Sequence, residues 1–336
     1  MDKIVIFHAA AIGDTVLATP VSALLKRAFP QAKVVYVTHE SLIPLLGAVP
    51  SIDESRGCNF GSIGAARQLI KSINPDLIVD LSGSRKSFWQ TTRLAKRIIR
   101  YKKSPEKHAV LNFLETLSAL GTLKTVGQPF PTLFPKEYDK ENVRRMLARD
   151  ERRLVALVPG VGSVRPHRAW PEDQWIGLAK EILWTEKHAV VLIGGSDERT
   201  LCSRIAEQSG KFCFNMAGKL TLNETAAVLS ICDATVSGDT GPAHMSTAIG
   251  TPVIGIYGPT DVKRSGPYGM EQHALSATAK CKCLHLKTCP LTSGGPGACM
   301  KEISFKEVYA NLAPIIKIQE APTETTIRED EWGHLS

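Results

Sequence analysis

The chain has no apolar run approaching the roughly 18–20 residues that a membrane-spanning helix needs. Its Met1-Asp2-Lys3 start leads directly into a β-branched run, without a basic n-region, apolar h-region or cleavage site, so the protein is expected to remain in the cytoplasm. No G-x-G-x-x-G follows any β-branched run, which removes the dinucleotide fingerprint and weakens an oxidoreductase reading. Before the polar C-terminal tail there is neither an Asp-x-Asp motif nor a His/Glu pair at helical spacing, so neither a catalytic metal nor another cofactor is expected.

Hydrophobic residues make up 43% and charged residues 22% of 336 positions, which is core enough for two domains of ordinary size. Short β-branched runs alternate with amphipathic stretches of helical length, beginning with Ile4-Val5-Ile6-Phe7, Val34-Val35-Tyr36-Val37, Leu77-Ile78-Val79 and Ile98-Ile99. After a Pro- and Gly-rich stretch at 127–135 and a charged helix at 140–149, the rhythm restarts. Val155-Ala156-Leu157-Val158, Val190-Val191-Leu192-Ile193, Phe212-Cys213-Phe214, Ala234-Thr235-Val236 and Val253-Ile254-Gly255-Ile256 read as strands with helices between them. The pattern predicts an α/β protein of two Rossmann-like domains with parallel sheets, over residues 1–150 and 151–318. A last helix at 305–316 is expected to pack back on the first domain, and the polar, acid-rich tail at 319–336 is expected to be disordered.

Charge divides unevenly between the halves. Residues 1–150 hold 22 Lys+Arg against 13 Asp+Glu, a net of +9, whereas the remainder holds 19 against 20, a net of −1. Much of the excess lies in one stretch, Arg85, Lys86, Arg93, Lys96, Arg97, Arg100, Lys102, Lys103 and Lys107, interrupted only by Glu106. This is either a solvated helix face or a surface for an anionic acceptor or anionic membrane headgroups. Phe88, Trp89 and Tyr101 are its only aromatics and no nucleic-acid-binding motif accompanies them, which argues against nucleic acid as a partner.

Ligands of such sheets bind beyond the carboxyl ends of the strands, so the strand-end loops are the places to look for chemistry. The first loop, His8-Ala9-Ala10-Ala11-Ile12-Gly13-Asp14-Thr15, allows close backbone approach at Gly13. Asp14 either caps the following helix or, with one oxygen free, takes a proton from an acceptor hydroxyl. In the second domain, Pro159-Gly160-Val161-Gly162-Ser163-Val164-Arg165-Pro166-His167-Arg168 combines glycines, a hydroxyl and two arginines, which suits phosphate. Arg168 is either a surface arginine or the cation that a departing diphosphate requires when no metal supplies one.

Ser237-Gly238-Asp239-Thr240-Gly241-Pro242-Ala243-His244 is the strongest local signal. Asp239 or Thr240 is expected to cap, Pro242 pre-sets the first turn, and His244 adds a donor at a helix end suited to anions. Gly194-Gly195-Ser196-Asp197-Glu198 offers acids that either accept ribose hydroxyls or cap, and Gly218-Lys219-Leu220-Thr221 is placed to flank a flat base.

Together, Ile12-Gly13-Asp14, Arg168-Ala169-Trp170-Pro171 and Gly238-Asp239-Thr240-Gly241-Pro242-Ala243-His244 resemble glycosyltransferase family 9, the ADP-heptose:lipopolysaccharide heptosyltransferases, in order over residues 3–316. The resemblance implies a GT-B fold and an inverting, metal-independent displacement by a cytoplasmic enzyme peripheral to the inner membrane. The implied donor is the nucleotide sugar ADP-heptose, and the implied acceptor is an anionic glycolipid, lipid A with its inner core. By this resemblance Asp14 is the catalytic base and Arg168 replaces a lysine that contacts the donor diphosphate, keeping charge but changing geometry. Ser163, Gly195, Asp239, Thr240, Gly241 and His244 fall on the donor side, with Leu220 against adenine. Asp80-Leu81-Ser82-Gly83 and Lys86-Ser87 resemble the acceptor-side loop, which groups Gly13, Arg85 and Lys86 with the acceptor.

Rival readings are transfer from another nucleotide sugar into surface polysaccharide, a sugar-nucleotide 2-epimerase, and a non-catalytic nucleotide-sugar binding protein. Cys58, Cys202, Cys213 and Cys232 are scattered and read as small buried residues, whereas Cys281, Cys283, Cys289 and Cys299 cluster. Four thiolates could hold zinc or form a redox pair, but Cys-x-Cys is an uncommon zinc spacing and buried or free thiols are the favoured reading.

Overall fold

The computed structural model describes residues 1–121, 129–147, 152–277, 281, 286, 288–290, 295 and 297–318. The expected domain boundary at 150/151 and the expected tail at 319–336 lie outside the described residues.

The strands are β1 (Lys3–Phe7), β2 (Lys33–Thr38), β3 (Glu54–Gly57), β4 (Leu77–Asp80), β5 (Arg97–Arg100), β6 (Arg153–Val158), β7 (His188–Leu192), β8 (Cys213–Asn215), β9 (Ala234–Ser237), β10 (Val253–Tyr257) and β11 (Ala274–Ser276). They form two sheets ordered β3-β2-β1-β4-β5 and β11-β10-β9-β6-β7-β8, with every pairing parallel. Strands covered by helices on both faces become continuous apolar runs, as in the buried Ile4, Val5, Ile6 and Phe7 of β1. β3 and β11 went unread because they are edge strands, half-exposed and without an apolar run. In each sheet the order reverses beside the first strand, between β1 and β4 and between β6 and β9, so both ligand crevices open beyond those strand ends.

Two helices depart from expectation. Helix Phe305–Ile318 buries Val308, Leu312 and Ile316 among Trp175, Leu178 and Ile256, and lies against helix Glu172–Trp184, β9 and β10. It therefore packs on the second sheet and does not return to the first. Its approach is set by the Trp170 indole, which donates to the Ile303 carbonyl (2.8 Å), and by Gly177, where a Cβ would lie 2.7 Å from the Phe305 ring. Helix Glu137–Leu147, expected to close the first domain, packs on helix Leu222–Ile231 of the second.

One apolar cluster runs through both halves, joining Val16, Leu17 and Leu46 to Val158, Val228 and Met245. At the crevice, helix Ile12–Leu17 rests directly on helix Gly241–Ile249. Two glycines allow that contact: a Cβ on Gly13 would lie 2.8 Å from His244 Cδ2, and one on Gly241 would lie 3.0 Å from Ile12 Cβ. No described helix is long and apolar enough to cross a membrane.

Candidate active site

The loops after β6, β7 and β9 enclose a pocket of about 390 Å³. Gly160, Gly162, Gly194 and Gly195 bring backbone to its surface, while Ile193, Leu220, Leu222 and Met245 give it apolar walls. The Glu198 carboxylate clasps two of these loops, accepting from the Gly195 amide (2.8 Å) and the Gly162 amide (3.1 Å). A Cβ on Gly160 would overlap that carboxylate. Of the two roles open to the acids at 197–198, Glu198 therefore takes the backbone one.

Asp239, Thr240 and Gly241 separate this pocket from a second, of about 400 Å³, that lies between the halves. The second chamber takes Gly13, Asp14 and Lys103 from the first half and Arg165, Arg168, His244 and Arg264 from the other. Helix Gly241–Ile249 points its first turn at both pockets. Thr240 occupies the N-cap position, but its hydroxyl pairs with Ser237 Oγ (2.7 Å) and no side chain caps the helix. Asp239 does not cap either, because Arg168 Nη1 holds one of its oxygens at 2.8 Å and His244 Nε2 lies 3.5 Å from the other. The capping expected from the sequence is thus displaced by bonds to Ser237, His244 and the sequence-distant Arg168, and the first-turn amides are left for a ligand.

Burial works to raise the Asp239 carboxyl, but hydrogen bonding and charge from His244, the Arg168 guanidinium and the Thr260 hydroxyl outweigh it and hold the group below the ordinary carboxylate range. Asp14 is in the opposite condition. Helix Ile12–Leu17 begins after Ala11 without a side-chain cap, and no hydrogen bond joins the Asp14 carboxylate to another described residue. Asp14 is exposed to the chamber, but the walls of that chamber, drawn from both halves, partly withdraw it from bulk solvent. That desolvation raises its pKa, opposed by His244, reinforced by Asp239, and opposed again by Arg264 and Lys103. A carboxylate that caps no helix end, has a raised pKa and faces a cationic cavity is suited to taking a proton from a hydroxyl.

The residues read from the sequence do not all converge. Asp14, Gly13, Arg168, Asp239, Thr240, Gly241 and His244 line the chamber, and Gly195 and Leu220 line the apolar pocket. Ser163 is exposed and lines neither. Arg85 and Lys86 are exposed on helix Arg85–Thr91 beyond β4, outside both pockets, with the Lys86 ammonium donating to the Gly61 carbonyl (2.8 Å). Arg264 is a further chamber residue; its one sequence signal is its place just past the carboxyl end of β10. Lys103 was counted in the basic stretch but not assigned to the site.

Among the described residues, no group of three His, Cys, Asp or Glu side chains is placed to hold a metal ion. Cys283 lies outside the described residues. Burial, with Cys281 and Cys289 nearby, pushes the Cys299 thiol up to about 11.

The sequence model of glycosyltransferase family 9 (heptosyltransferase) matches residues 76–293, well over half of the chain. Lipooligosaccharide heptosyltransferase 2 of Haemophilus ducreyi is 26% identical over 303 residues, spanning 79% of this chain and 86% of that one. The fold is similar to that of the family 9 glycosyltransferase from Veillonella parvula, with a TM-score of 0.81 at 20% identity over 95% of this chain and 98% of that one. It is also similar to E. coli ADP-heptose LPS heptosyltransferase II, with a TM-score of 0.77 at 20% identity over 95% of this chain and all of the other. Two parallel α/β units facing a cleft are the GT-B architecture, and the chain belongs to glycosyltransferase family 9 and is a glycosyltransferase.

Proposed function

We propose that this enzyme transfers heptose from ADP-heptose to an anionic lipopolysaccharide core acceptor, with inversion and without a metal ion. The observation that carries the reading is the position of Asp14, engaged in no capping bond and facing the Thr240–Gly241 helix end across one chamber. The apolar, glycine-floored pocket suits a nucleoside, and the adjoining helix end and arginines suit its diphosphate. The names of similar proteins supply the base and the sugar: one neighbour is described as an ADP-heptose LPS heptosyltransferase.

In the proposed step Asp14 accepts the acceptor's hydroxyl proton as that oxygen bonds to the anomeric carbon. The carbon–oxygen bond to the diphosphate breaks on the opposite face, and its electron pair leaves with the diphosphate. Arg168, Arg165, Arg264 and the first-turn amides of helix Gly241–Ile249 meet the developing charge, which is the work a metal ion would otherwise do. The acceptor lies on the first half, whose charge excess complements lipid A and inner-core sugars, and the enzyme works at the cytoplasmic face of the inner membrane.

Titration with ADP-, UDP- and GDP-sugars tests the donor assignment by calorimetry. ADP-heptose is expected to bind most tightly; a tighter UDP- or GDP-sugar would overturn the base and sugar assigned here.

A further inference from the structure

Helix Arg85–Thr91 is built inside out. Its buried residues are the polar Ser87, Gln90 and Thr91, and each is hydrogen-bonded: Ser87 Oγ to the Ser84 carbonyl (2.9 Å), Gln90 Nε2 to the Phe60 carbonyl (3.1 Å) and Thr91 Oγ1 to the Ser87 carbonyl (2.9 Å). Phe88 and Trp89 face outward instead, 43% and 60% exposed, with their rings edge-to-face at 5.5 Å. A helix on a folded domain ordinarily buries its aromatics and exposes its polar residues. The face is firmly held, since Arg67 of the adjacent helix Ile63–Ile73 donates to the carbonyls of Trp89 (2.8 Å) and Thr92 (3.0 Å). Ile63, at the start of that helix, is also exposed.

Charge around the rings has one sign. Residues 81–105 contain eight Lys and Arg and no Asp or Glu. Arg85 and Arg93 are exposed at the two ends of the helix, and the Arg100 guanidinium stacks 4.6 Å from the centre of the Phe88 ring. Exposed aromatic rings framed by the exposed cations Arg85 and Arg93 match an anionic bilayer surface, where rings settle at the headgroup boundary and cations meet lipid phosphates. The location agrees. The helix starts beyond the carboxyl end of β4, beside the β1 loop that leads to Asp14, and the two loops are joined by the Ala9 amide donating to Ser82 Oγ (2.8 Å).

We propose that this aromatic–cationic face docks the enzyme on anionic lipid, setting the catalytic chamber at the level where the sugars of a membrane glycolipid project. The proposal rests on the reading that the acceptor is such a glycolipid.

Flotation of the full chain with phosphatidylethanolamine–phosphatidylglycerol vesicles, against pure phosphatidylcholine vesicles, tests it, alongside transfer to the delipidated acceptor oligosaccharide. The wild type is expected to float with the anionic vesicles at low salt. Phe88→Ser/Trp89→Ser is expected to lower the bound fraction about tenfold or more while transferring to the oligosaccharide at the wild-type rate. Arg85→Glu/Arg93→Glu provides the same vesicle test should the aromatic variant fail to fold. Wild-type binding to anionic vesicles by both variants, or no binding by the wild type, overturns the docking surface. If the wild type fails to transfer to the oligosaccharide, the functional reading is overturned instead.

Discussion

Asp14→Asn is expected to lower kcat by about a thousandfold while changing donor affinity less than about twofold, the range for loss of a positioned general base. Asparagine keeps the shape and the approach to the chamber but cannot take the proton. Donor affinity is expected to survive because the pocket proposed for the nucleoside is lined by the second half, with Ile12 as the one lining residue from the first among the described residues. The pH profile gives an independent readout. A base must be ionised, so activity is lost as pH falls through the pKa of Asp14, and desolvation raises that value. The acid limb of kcat/KM therefore lies above the ordinary carboxylate range, and it should disappear from the residual activity of Asp14→Asn. Single-turnover kinetics with separately measured donor binding would check this; wild-type kcat in the variant would remove Asp14 from the mechanism.

Arg168→Ala should injure both stability and turnover. Arg168 and Asp239 are largely buried, 14% and 16% exposed, and the pair is joined at 2.8 Å. Removing the guanidinium leaves Asp239 desolvated, with His244 and the Thr260 hydroxyl as its remaining partners. The usual cost of breaking a buried pair is about 3–5 kcal/mol, and the remaining histidine and partial solvent access reduce it here to about 2 kcal/mol. Because Asp239 and Thr240 begin helix Gly241–Ile249, the same change disturbs the helix end proposed to meet the diphosphate. We expect kcat/KM to fall by about 10²–10³ through lost leaving-group stabilisation, and Arg168→Lys to recover part of it by restoring charge without the planar fork. Thermal denaturation together with steady-state kinetics checks both effects; an unchanged melting temperature and unchanged kcat/KM would show the pair to be incidental.

The parts of the fold legible in the sequence were those where local composition and tertiary environment coincide. β1 and β7 are covered on both faces and therefore apolar throughout, while β3 carries Glu54, Ser55 and Arg56 at a sheet edge and looks like a loop. Helix Phe305–Ile318 was legible as a helix, but its partner was not, because an apolar stripe says how much must be buried and not against what. The site followed the same division. Strand-end loops pointed to Asp14, Arg168 and the 238–244 segment, since glycines, prolines and charged residues concentrate there. What remained hidden was pairwise: Thr240 bonding to Ser237, Asp239 occupied by Arg168, and Glu198 bridging Gly162 and Gly195. The meeting of Lys103 and Arg264 beside Asp14 depends on how the two halves close. No local pattern encodes that closure.

We infer sugar transfer across this cleft, with Asp14 as the base and without a metal ion. It is tested most directly by incubating the purified protein with ADP-heptose and heptose-deficient core glycolipid in the presence of a chelator, then following product by mass spectrometry. The expected result is acceptor enlarged by a single heptose, one ADP released per product, and loss of both with Asp14→Asn. Donor consumed without an enlarged acceptor, or product formed only when a divalent metal is restored, would contradict it.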